Sequence, residues 1–292
     1  MFITKQNLKD WKLWYKLVVA LLILTFIVEM LIRGLLNISS QTSKNQPSIW
    51  TIWSKDGNVI GYDYFGYVIN RFSYFTIQSN ILIVVWLLVG FFNHNKEGQI
   101  KILQKTFSLS VITYITVTAM IFNFMLLPKV LASSNNNFKA ILWVEQIIVH
   151  TLGPIAAIIY FLFFMKQDIE FNFKKFIKKD FWRIAIYPFA YLVYILIRGE
   201  LIYRSYGSNA ALAGKHKAYP YFFLEIHNKN VLGLRNESFI NNGLAWFFIA
   251  IITIIGIIIG LGSLYLFIGQ KTNNMRNKGE RKNEEKKSEQ TK

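Results

Sequence analysis

The chain has 292 residues, 53% of them hydrophobic, with 25 Phe, 15 Tyr, 8 Trp and a formal charge of +17. The absence of cysteine excludes disulfides, thiol chemistry and cysteine-ligated zinc. A charge of this size in a soluble chain would suggest nucleic acid. Here the apolar residues gather in runs of about 20, long enough to cross a hydrocarbon core, so the expected partners are membrane lipids and not nucleic acid.

Residues 1–16 are polar, aromatic and basic, with Lys5, Lys9, Lys12 and Lys16. The first predicted span covers residues 17–36. It is too long for the apolar core of a signal peptide and is read as a retained helix. Spans two to six follow at 72–92, 106–127, 140–165, 181–203 and 244–268, the third ended by Pro128. The predicted fold class is thus all-α, a polytopic membrane protein with a bundle of six transmembrane helices over 17–268. The tail 269–292 has no apolar residue after Met275 and is expected to be disordered and basic. No internal repeat is evident.

Six spans put both ends on one side of the membrane. The stretches on that side (1–16, 93–105, 166–183 and 269–292) carry 21 of the 33 Lys and Arg, against 10 on the other side. The positive-inside rule then predicts a plasma-membrane protein with both termini cytoplasmic. Oligomeric state is not encoded in any pattern of the sequence.

Polar side chains are costly within a bilayer and usually turn toward the bundle interior or a water-filled cavity. At the head of span two, Thr76, Ser79 and Asn80 fall at i, i+3 and i+4 and share one helix face. Span four carries His150, about 15 Å along its axis, with Gln146 one turn before it. Arg198 and Glu200 lie near the end of span five, Glu29 and Arg33 at i, i+4 in span one, and Asn123 in span three. On the predicted topology these groups occupy the outer half of the membrane, as an outward-facing cavity would require.

Each has a plainer explanation. Glu29 and Arg33 suit a structural ion pair, and Arg198 and Glu200 can snorkel to the headgroups. A Thr in a membrane helix often bonds a carbonyl one turn back, and Asn or Gln often joins helices. The remaining histidines, His94, His216 and His227, have no metal-binding spacing. No metal or cofactor is expected.

Together the groups permit acyl chemistry. A threonine hydroxyl becomes a nucleophile when a neighbouring base takes its proton, and imidazole is the usual base near neutral pH. Asn80, Ser79 or Gln146 would supply donors to a tetrahedral oxyanion. The parts suit hydrolysis of a lipid ester or acyl transfer from one. The alternatives are a non-enzymatic small-solute or lipid carrier, and a structural membrane partner. The aromatic stretch Tyr219-Pro220-Tyr221-Phe222-Phe223-Leu224-Glu225 either caps the cavity or forms part of an interfacial belt.

Phe75-Thr76-Ile77-Gln78-Ser79-Asn80, His150 with Pro154, and Tyr219-Pro220-Tyr221 with Phe223-Leu224-Glu225 resemble the three marker segments of the bacterial Pr-six-Pr membrane proteins. These are distantly similar to the animal androgen-induced membrane hydrolases, which cleave fatty-acid esters of hydroxy fatty acids. The resemblance implies that Thr76 and His150 hold the catalytic threonine and histidine positions. The chain departs from the animal pattern at Gln78-Ser79-Asn80 and in its longer final marker.

Overall fold

In the computed structural model the described residues are 4–40, 49–132, 140–166, 169–208, 215–232 and 239–290. Parts of the predicted loops 128–139 and 204–243, and the last two residues of the tail, lie outside them. Among the described residues six helices are long and apolar enough to cross a membrane. The first is α1, Trp11–Leu36. A small hairpin, β1 (Thr51–Trp53) and β2 (Val59–Tyr62), and a short helix α2 (Tyr64–Phe72) lead to α3 (Phe75–Phe92). Span three is α4 (Lys105–Ile121), a π-helical turn Phe122–Leu126, and α5 (Leu127–Ala132). Span four is α6 (Ala140–Ile147), a π-turn Ile148–Leu152, α7 (Gly153–Ile159) and a second π-turn Tyr160–Phe164. The fifth is led by α8 (Phe173–Lys175) and a π-turn Phe176–Asp180 and continues as α9 (Phe181–Ser205). After α10 (Lys215–Ala218), the sixth is α11 (Gly243–Gln290).

Two boundaries differ from the hydropathy reading. Pro128 does not end span three, because the π-turn before it changes the bonding register and the helix runs through it as α5. The tail, expected to be disordered, is helical as far as Gln290. Its Lys, Glu, Gln and Arg are good helix formers, so a helix already nucleated in the bilayer propagates outward.

The chain divides into two compact units: Met1–Ile23, Ser79–Ile186 and Ile257–Lys292 in one, and Leu24–Gln78 and Tyr187–Gly256 in the other. In the first, α4 is buried along its whole length from Ser108 to Thr118 and packs on α7. Lipid tails are as apolar as leucine, so helix association rests on packing and on satisfied polar groups. Several hydroxyls of α4 are paired accordingly, although Thr113 Oγ1 is buried without a partner. Trp86 Nε1 donates to Ser108 Oγ at 3.0 Å, Ser79 and Thr118 share a bond of 2.8 Å, and Thr116 and the Tyr265 hydroxyl share another of 2.8 Å.

Near the start of α1, Lys16 is 1% exposed, although the sequence suggested only a topogenic surface charge. Its ammonium donates to the Gly90 carbonyl at 2.6 Å, His94 Nδ1 at 2.8 Å and Glu97 Oε1 at 2.5 Å, using all three of its protons. With Nδ1 accepting, the other ring nitrogen carries the proton and donates to Asp10 Oδ2 at 3.0 Å. Glu97 also accepts the Tyr160 hydroxyl and, at 3.1 Å, the Lys166 amide.

In the second unit Ile38, Trp50 and Tyr67 form a core beneath the hairpin, with Leu31, Leu35 and Val68 packed against it. Asp63 caps α2 by accepting from the Gly66 amide at 2.7 Å. Gly34 is required by close approach, since a Cβ there would overlap the Tyr67 hydroxyl. Glu29 and Arg33 form the expected ion pair at 2.6 Å, each about a third exposed.

Candidate functional site

In the second unit the head of α3 meets the 218–225 segment. Thr76 is buried, and its amide donates to the Tyr221 hydroxyl at 3.3 Å. Tyr74 packs edge-on against Tyr221, with ring centroids 5.8 Å apart, and Phe75 does the same with Tyr191 at 5.1 Å. The Tyr191 hydroxyl donates to the Ser73 carbonyl at 3.0 Å, and Tyr187 donates to Gln78 Oε1 at 2.6 Å. Two of the three marker segments therefore come together around Thr76. Burial holds the Tyr221 and Tyr74 phenols above their ordinary values and pushes Tyr219 up to about 12, so all three stay protonated at neutral pH.

Arg198 belongs to the same unit and does not snorkel. Its Nη1 donates to the Ala218 carbonyl at 3.0 Å and its Nη2 to Asn70 Oδ1 at 2.9 Å, fixing the start of the marker segment to α9. Glu200 accepts from Arg204 at 2.7 Å and faces His227 at 2.6 Å.

His150 lies in the first unit, inside the π-turn of span four, and this turn packs against the π-turn of span three. The cause is Pro154, four residues on. It has no N–H to offer the His150 carbonyl, and its ring would clash with that carbonyl in a regular helix. Asn123 fills the gap: its Nδ2 donates to the His150 carbonyl at 3.2 Å and to that of Ala119 at 2.8 Å, while its Oδ1 accepts from Thr151 at 3.1 Å. The imidazole is buried and stacks face to face on Phe122, with centroids 4.2 Å apart and planes 13° from parallel. Single π-turns of this kind are frequent at functional sites.

Asn123→Ala orphans a carbonyl that the proline has already deprived of its helical partner. The expected cost is about 1–3 kcal/mol, against about 0.5–1.5 kcal/mol for Thr151→Val, which removes one ordinary bond. Reversible unfolding in mixed micelles, followed by tryptophan fluorescence, checks the order of the two.

The other predicted residues divide between the units. Ser79 and Asn80 are buried in the first, Ser79 against Thr118. Gln146, expected on the face of His150, instead donates to Glu145 Oε1 at 3.3 Å. The π-turn Ile148–Leu152, which holds His150, departs from the 3.6-residue spacing on which that expectation rested. Glu145, 2% exposed within a membrane span, escaped the sequence reading although a carboxylate in an apolar run was itself the signal. Asn70 and Tyr221 were missed as site residues because their partners lie far along the chain.

Six apolar helices carrying buried polar clusters define a multi-pass membrane protein. In sequence the chain is 28% identical over 133 residues to the uncharacterized protein MG452 of Mycoplasma genitalium, covering 45% of this chain and 48% of that protein. It is likewise 28% identical over 141 residues to the MG452 homolog of Mycoplasma pneumoniae, covering 47% and 54%. The chain spans about half the length of the curated relatives it matches. No family model matches the chain, and no solved structure matches it.

Proposed function

We propose that this membrane protein hydrolyses a lipid ester, with Thr76 as nucleophile and His150 as general base, as its resemblance to the Pr-six-Pr proteins and the androgen-induced hydrolases implies. The observation that carries the reading is the Tyr221 hydroxyl against Thr76, which joins two of the marker segments in one buried, hydroxyl-rich cluster. As Thr76 Oγ1 attacks the ester carbonyl, a general base, the role the resemblance gives to His150, takes its proton and later returns it to the departing alcohol. Water then releases the acyl group from threonine. Tyr221 accepts the Thr76 amide and keeps its own O–H, so a phenol that stays protonated serves as a donor to the developing oxyanion.

The test uses purified protein in micelles with a fluorophosphonate probe and branched fatty-acid esters. Thr76→Ala and His150→Ala are each expected to remove labelling and turnover, and Tyr221→Phe to lower turnover about 10²–10³-fold. Labelling that survives both alanine variants, or a wild-type protein without turnover, overturns the assignment and favours a non-enzymatic lipid or solute binder. The same reading places both termini in the cytoplasm of a plasma-membrane protein. Reporter fusions at each terminus check that orientation.

A further inference from the structure

Within the second unit a cavity of about 540 Å³ opens between α2 and α9, bounded by Lys217 of α10. Its walls are apolar, and Phe65, Ile69, Ile197 and Leu201 are 77%, 40%, 58% and 62% exposed. Ile197 and Leu201 belong to α9, within a helix long and apolar enough to cross a bilayer, where such side chains face acyl chains, not water. Two cations stand in this apolar setting. Lys217 Nζ donates to the Tyr206 hydroxyl at 3.0 Å and lies over the Trp50 ring, 5.6 Å from its centroid. Arg198 spends two N–H groups on Ala218 and Asn70, and its Nε is buried without an acceptor.

Elsewhere Lys16 is matched by Glu97 and Arg33 by Glu29. No such pair holds Arg198 or Lys217. The one carboxylate lining the cavity, Asp63, is engaged in capping α2. A buried donor without an acceptor calls for a partner outside the chain. A cation in an apolar groove calls for an anion that carries its own hydrocarbon. We propose that this cavity seats an anionic phospholipid, its phosphate between Arg198 and Lys217 and one acyl chain along Phe65, Ile69, Ile197 and Leu201. The inference does not depend on ester hydrolysis, because it concerns binding by groups other than Thr76 and His150.

The experiment titrates the full-length protein in micelles with phosphatidylglycerol and phosphatidylcholine, followed by native mass spectrometry. Phosphatidylglycerol is expected to bind at least about five-fold more tightly, and Lys217→Gln to remove about that factor. Lys229→Gln, which neutralises an exposed lysine, should leave the preference unchanged. Leu201→Trp, which narrows the groove without altering charge, should weaken both lipids together. Tryptophan fluorescence on thermal unfolding shows that each variant is folded. Equal affinity for the two lipids overturns the proposal, as does an equal effect of Lys217→Gln and Lys229→Gln. Competition by glycerol phosphate as strong as that by intact lipid also overturns it, since the site would then hold a soluble anion.

Discussion

Glu97→Ala is expected to cost about 3–5 kcal/mol, the loss that follows when one partner of a buried ion pair is removed. Glu97 and Lys16 are 5% and 1% exposed, so water cannot replace the missing carboxylate. The Gly90 carbonyl and His94 Nδ1 would remain to the ammonium, but neither carries the opposing charge. The Tyr160 hydroxyl and the Lys166 amide would lose their acceptor in the same step. Glu97→Gln keeps an acceptor without the charge and should fall between. The double variant Lys16→Met, Glu97→Leu removes both charges and should regain most of the loss, because two well-packed apolar groups carry no desolvation penalty. Unfolding free energies in mixed micelles measure all three. A Glu97→Ala protein within 1 kcal/mol of wild type would show that the pair is solvated.

Gly199→Ala is expected to destabilise by about 1–3 kcal/mol through overpacking. Gly199 is buried in α9, and a methyl group there would fall inside the Tyr219 ring. The ring cannot easily withdraw, since Tyr219 is itself buried and its neighbour Ala218 is tied to Arg198. The clash is local, which makes it separable. In a Tyr219→Ala background the ring is gone, and adding Gly199→Ala should cost almost nothing further. A double-mutant cycle reads the coupling directly, and additive costs would place the strain elsewhere. Ester turnover in Gly199→Ala is a second readout, because Tyr221 lies two residues beyond the displaced ring and touches Thr76.

The sequence by itself determined how many times the chain crosses the membrane. It also marked one face of α3 as inward: Thr76, Ser79 and Asn80 are all buried, as their i, i+3, i+4 spacing implies. Both inferences rest on quantities summed along a contiguous stretch, since a bilayer sorts segments by length and hydropathy. It also suggested the Glu29–Arg33 pair, whose partners are one turn apart.

Only the tertiary structure decided which distant groups meet. Lys16 reads as one more positive charge before a span, yet it is the centre of a buried network whose acceptors lie 74 and more residues away. His150 reads as a histidine on a regular helix with Gln146 above it, but Pro154 forces a π-turn and hands its carbonyl to Asn123 on another span. Arg198 reads as a snorkelling cation and instead binds Asn70, 128 residues distant. In each case the local pattern shows that a polar group needs a partner in a medium without water. Which partner answers is fixed by helix packing, a property of the folded chain that no window along the sequence contains.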